Sequence, residues 1–230
     1  MCRKWALNLL EEVKNVWEIA SSKDKNNIVE KNGFAVFYSK VRKNPELMII
    51  GYNPGGGDKD FNIEDVFNLE KEHEYIKYSG KNNKNEKYKT AVVMYNLFEE
   101  IGKLELLEKS VKLNLIFFRS KSKKEWLSLD KELRISLEQF CFGKVKEIVD
   151  YINPKIILLE GLETFDLFIS EILNKRYGVT KVKITSVYAY SDKSCRRLFA
   201  KTEFNGKKLL GIIHPSYFDG RVIKYLEKEL

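Results

Sequence analysis

Short apolar runs, each cut off by turn-forming residues, recur along this chain at Leu47–Ile50, Leu113–Phe118, Lys155–Glu160 and Leu209–Ile213. Runs this continuous read as strands buried on both faces, as in a parallel sheet. Between them the apolar period changes to that of a helix. From Cys2 to about Ser21, Trp5, Leu9, Leu10, Val13, Val16, Trp17 and Ile19 form one stripe, a packing face. Helices are likewise predicted over Ile63–Lys77, Tyr88–Gly102, Thr164–Leu173 and from about Arg221 onward, with one or two over Leu127–Tyr151. Gly102 and Asn153-Pro154 supply stops. Phe34–Val41 reads as an edge strand, Val182–Tyr190 and Arg197–Phe204 have strand character, and Asn205-Gly206 is a tight turn. Strands alternating with helices define an α/β fold with a mostly parallel sheet, and residues 1–230 read as one domain with an N-terminal helical extension over 1–44.

Composition narrows the class. Hydrophobic residues make up 43% of the chain, enough for a folded core rather than a disordered chain. The surplus of 41 Lys+Arg over 33 Asp+Glu, a net charge of +8, favours a polyanionic partner. Cys2, Cys141 and Cys195 stand far apart and unpaired in spacing, which argues against a disulfide framework, a zinc site or an iron–sulfur cluster. Neither a signal peptide nor an apolar run of transmembrane length is visible, so a cytoplasmic location and no membrane are expected.

Candidate chemistry gathers where strands end. Gly51-Tyr52-Asn53-Pro54-Gly55-Gly56-Gly57 follows the first run, and its glycines would let backbone N–H groups approach a ligand or phosphate. A plain glycine-rich connection fits the stretch equally well. The second run carries Asn114 and ends in Arg119-Ser120; the last runs into His214-Pro215-Ser216-Tyr217-Phe218. Such positions are where open sheets place their sites.

This set of motifs resembles the uracil-DNA glycosylase superfamily, closest to its mismatch-specific and single-strand-selective branches. Gly51-Tyr52-Asn53-Pro54-Gly55 is similar to the first loop of that family, Asn114-Leu115-Ile116-Phe117-Phe118-Arg119 to its base-reading strand, Pro154-Lys155 through Gly161 to a later strand, and His214-Pro215-Ser216 to its last loop. The likeness spans roughly residues 45 to 225, in the expected order. It implies a three-layer α/β/α fold and a monofunctional DNA glycosylase of base excision repair. Such an enzyme hydrolyses uracil or a related damaged base from DNA after flipping it, with no cofactor or metal, as a monomer. His214 would stabilise the departing base and Asn53 would hold the attacking water, an amide having no basicity for general-base work. Asn114 would read the base, Gly51 and Tyr52 would line its pocket, and Phe67 (Phe61 as second choice) would stack on it. Gly55, Gly56 and Ser216 would take phosphates, with Phe218 in the wedge position, where the family more often has Leu or Arg.

Other readings of the same residues stand beside these. Asn53 capping its own loop, Asn114 bonding a neighbouring loop, His214 as a satisfied core residue, and Phe67 and Phe218 as core aromatics are all compatible with the sequence. His73, in a Lys/Glu-rich stretch, is expected at the surface. A catalytically weak or inactive glycosylase-like binding module is the alternative function. A nucleotide-handling enzyme ranks last, because the glycine loop lacks the Lys-Ser/Thr of a P-loop.

Overall fold

A computed structural model describes residues 2–53, 55, 61–81, 87–191 and 194–230. Its strands are β1 (Leu47–Gly51), β2 (Val111–Asn114), β3 (Ile156–Glu160), β4 (Thr185–Ser191), β5 (Ser194–Phe204) and β6 (Lys207–Ile212). They form one sheet in the order β2-β1-β3-β6-β5-β4. The first four are parallel; β5 and β4 add an antiparallel hairpin at one side. The mostly parallel α/β architecture expected from the sequence is thus present.

Strand alternation explains the layering. In β1, Leu47 and Ile49 point into one hydrophobic layer, with Met94, Leu97 and Phe98, while Met48 and Ile50 point into the other, with Leu9, Val13 and Val145. Each such side chain contributes about 1.5–3 kcal/mol by leaving water. The layer holding Met48 is covered by α1 (Cys2–Lys23) with the short α2 (Ile28–Asn32) beside it. Ala6, Leu9, Leu10 and Val13 are fully buried there, so the N-terminal helix is part of the core rather than an appendage. The next helices, α3 (Ile63–Phe67) and α4 (Glu74–Lys77), replace the single helix predicted over Ile63–Lys77. Asn62 and His73 each cap a new start through a side-chain acceptor, and Asn68 bonds Glu70 N–H, so local side chains outcompete a continuous helix.

The opposite layer is covered by α5 (Lys89–Glu100) and α6 (Leu104–Lys109). Following β2, α7 (Lys123–Leu127) leads into α8 (Lys131–Ile152), whose first turn is capped by Asp130. The segment after β3 begins as α9 (Leu162–Leu167), widens to a π-helical stretch at Phe168–Asn174 and closes in α10 (Lys175–Tyr177). Phe165 of α9 packs so closely on β6 that a Cβ at Gly211 would lie 2.7 Å from its ring. The last helix, α11 (Ile223–Glu229), returns to the α5 layer through Leu226. At the β2 side, the predicted edge strand is instead an extended segment making isolated bridges, Phe34 to Phe118 and Phe37 to Leu113, which cover the open edge.

Candidate functional site

Chain order and sheet order together decide where the polar residues meet. Because β1, β2, β3 and β6 are parallel, the loops that follow them emerge at one edge. β3 lies between β1 and β6, so the Asn53 and His214 loops are rooted two strands apart, about 10 Å. They flank Gly161, where a Cβ would lie 3.7 Å from the His214 ring.

The first loop is stitched to the chain beyond β2. Gly51 O accepts from Leu115 N–H, Tyr52 O from Ile116 N–H, and Gly55 bridges Ser120. Asn53 Nδ2 donates to Ser120 Oγ at 2.7 Å, and Ser120 Oγ donates to the Ser122 carbonyl. That chain fixes the carboxamide with Nδ2 toward the β2 loop. Arg119 Nε holds the Gly55 carbonyl at 3.2 Å. Pro54, Gly56 and Gly57 lie outside the described residues, and with them the Gly56 phosphate contact expected from the sequence.

Asn114, Gly51 and Glu160 share the α5 face of the sheet, at the ends of neighbouring strands. A Cβ at Gly51 would stand 2.2 Å from Asn114 Oδ1, so only glycine permits the carboxamide to lie over β1. Lys112, two residues earlier on the same face, donates to Asn114 Oδ1 at 3.3 Å and pairs with Glu160 at 3.2 Å. Lys112 is 2% exposed, Glu160 3% and Asn114 6%. The ammonium also faces the rings of Tyr38 and Tyr75, 5.5 and 5.3 Å from their centroids. Burial, then the Glu160 and Glu74 carboxylates, hold the Tyr75 phenol well above its ordinary pKa. Burial likewise raises the Glu74 carboxyl, which accepts from Tyr88 Oη.

Glu160 Oε1 is buried without a hydrogen-bond partner among the described residues, and the buried Tyr38 hydroxyl is turned toward the Asn114 side chain. An unmet buried polar group costs about 1–3 kcal/mol. The cluster is therefore both costly and placed where open α/β sheets carry ligands. Sequence reasoning singled out Asn114 here and missed Lys112, Glu160, Tyr38 and Tyr75. A signal existed for Glu160, a charged position closing an otherwise apolar run. Lys112 stands one place before the run that starts at Leu113, and only the observed β2 (Val111–Asn114) and its register with β1 and β3 put both on the Asn114 face.

His214 is exposed at the rim. Its Nδ1 accepts from the Ser216 N–H at 3.1 Å, so the neutral ring carries its proton on Nε2. Neighbouring protein around the ring lowers its pKa from the ordinary value; Glu160 opposes the shift and Lys112 adds to it. Ser216 and Tyr217 lie in the 3-10 turn Pro215–Tyr217, with the Ser216 carbonyl held by Lys89 Nζ at 2.8 Å.

Several expected residues lie elsewhere. Tyr52 alternates away from Gly51 to the other face, under Lys123 and near Glu138 and Glu163, so its ring lies away from Asn114. Phe67 packs against the α1 layer, as does Phe61, which sits between Trp17 and Phe34. Phe218 is half-buried against the α5 layer, and Tyr217, 69% exposed, is the aromatic that the last loop offers to solvent. His73 is not at the surface. It is buried, its Nδ1 accepts from Tyr75 N–H, its Nε2 meets Ser110 Oγ at 3.0 Å, and burial lowers its pKa to about 3. Among the described residues no cluster of His, Cys, Asp or Glu suits a metal ion, and no helix is long and apolar enough to cross a membrane.

Set against known proteins, the chain matches no family model and no curated protein.

Proposed function

We propose that the protein is a DNA glycosylase acting on uracil or a related damaged base. One observation carries this reading: the sheet order brings the Asn53 loop, Asn114 and the His214 loop to a single edge although 161 positions separate Asn53 from His214 in sequence. Cleaving an N-glycosidic bond leaves negative charge on the departing base, and a neutral imidazole with its proton on Nε2 donates to that charge. The lowered pKa of His214 keeps the ring in this form at neutral pH. Asn53, oriented by Ser120, holds a water through its amide but does not deprotonate it. Tyr217, rather than Phe218, is the side chain available to fill the stack left by an extruded base.

A binding module remains as the second reading, favoured by one feature. Lys112 occupies Asn114 Oδ1, so the carboxamide has only its N–H side left for a base. Incubation with labelled uracil-, hypoxanthine- and thymine-mismatch oligonucleotides, followed by alkaline cleavage, separates the two. Strand scission that vanishes in Asn53→Ala and His214→Ala supports the enzyme. Salt-sensitive binding without abasic product supports the module.

A further inference from the structure

The antiparallel hairpin plays no part in the site described above. Strand β5 pairs with β6 from Phe199 onward, opposite Ile212, and Leu198 O still accepts from Ile213 N–H. Ser194–Arg197 and their β4 partners therefore run past the end of β6, roughly 13 Å of strand at the same edge as His214. Arg196 anchors this projection to the last loop, donating from Nη2 to the Tyr217 carbonyl at 3.1 Å. On the other face of β4, Tyr188 and Tyr190 stand side by side, ring centroids 6.4 Å apart. Tyr190 is 76% exposed and Tyr188 45%, a costly display of aromatic surface without a use for it.

We infer that this hairpin is a second nucleic-acid contact, in which Tyr188 and Tyr190 stack on unpaired bases of the strand that flanks the site. The inference rests on the DNA partner proposed above. Only unpaired bases can lend their faces to tyrosine, since a duplex hides them in its own stack. Charge agrees with the occupant: from Lys181 to Lys201 the sequence carries six Lys or Arg against the single acid Asp192. Arg197 and Lys201 are paired with Asp166 and Glu229, and the exposed Lys181 and Lys183 add positive charge close to the start of β4. A second copy of this basic hairpin would be repelled, whereas a phosphate backbone is attracted.

The test measures fluorescence anisotropy of a labelled short oligothymidylate, alone and paired with oligoadenylate. Tyr188→Ala/Tyr190→Ala is expected to weaken single-strand binding by about tenfold or more while changing duplex binding less than about twofold. Tyr188→Phe/Tyr190→Phe keeps the rings and should bind as the wild type does. Both pairs are at exposed positions, and circular dichroism checks that the fold is retained. Unchanged single-strand affinity in the alanine pair overturns the inference. So does a wild-type protein that binds neither probe, or a wild-type dimer in gel filtration that the alanine pair dissolves. Abasic product from a uracil oligonucleotide with no effect of the alanine pair would sink the hairpin alone. Loss of strand binding in that pair with no abasic product from the wild type would sink the glycosylase reading alone.

Discussion

At the residue scale, Gly51 and His73 carry the sharpest consequences. Gly51 has no conformational peculiarity; it is required because Asn114 Oδ1 occupies the space a methyl group would need. Gly51→Ala is expected to displace Asn114 and cost about 1–3 kcal/mol, read as a shifted urea midpoint, and to lower any base-excision rate. His73 is legible in sequence only as a histidine among Lys and Glu; its burial depends on Ser110 and Tyr75, which the fold brings to it. With the native pKa near 3 and the unfolded value near 6.5, the unfolded chain binds the extra proton in that window. Its contribution is fully present above pH ~6.5 and is lost, by about 1.4 kcal/mol per pH unit, as pH falls. Relative to His73→Asn, which keeps a capping acceptor without titrating, wild-type stability should decline from neutral pH to pH ~5 in parallel denaturation curves. A constant difference would refute this.

At the element scale, the central question is why two strands bury a Lys–Glu pair. Lys112 on β2 and Glu160 on β3 meet across β1, above the single strand position, Gly51, that has no side chain. Removing one partner leaves the other charged in the interior. Lys112→Met should therefore destabilise by about 3–5 kcal/mol, and Lys112→Met/Glu160→Gln should recover much of that loss in a double-mutant cycle. Helix α8 shows a simpler dependence: Asp130 accepts from both Glu132 and Leu133 N–H, and Asp130→Ala should cost about 1 kcal/mol. Most elements could be read from the chain because their periodicity is local. The helix predicted across Ile63–Lys77 broke because Asn62, Asn68 and His73 offered their own acceptors to backbone N–H groups, a competition that apolar spacing does not register.

On the scale of the whole molecule, a net charge of +8 and a site at one sheet edge lead to a salt test of the DNA reading. The logarithm of the association constant for an oligonucleotide should fall linearly with the logarithm of salt, with a slope of about −0.7 for each phosphate neutralised on single strands. A slope near zero would remove DNA as the partner. The same scale explains which site residues were legible. Asn53 and His214 follow apolar runs, and in a parallel sheet every such end points the same way, so their convergence follows from strand direction. Asn114 stands inside the run Leu113–Phe118 in sequence, and the structure places it at the end of a β2 that stops there. Tyr52 and Phe67 went to the far layer through alternation and helix packing, and Tyr217 exchanged exposure with Phe218 through a single 3-10 turn.

The sequence by itself determined the fold class, the core strands and long helices in outline and the edge that carries the polar loops, because apolar periodicity and turn residues act over short stretches of chain. Only the tertiary structure decided that Lys112 fills the space beside Asn114, that His73 is buried and neutral, and that a tyrosine-bearing hairpin rises beside His214. Those outcomes depend on which strands become neighbours, and pairings between distant segments leave no mark on local spacing.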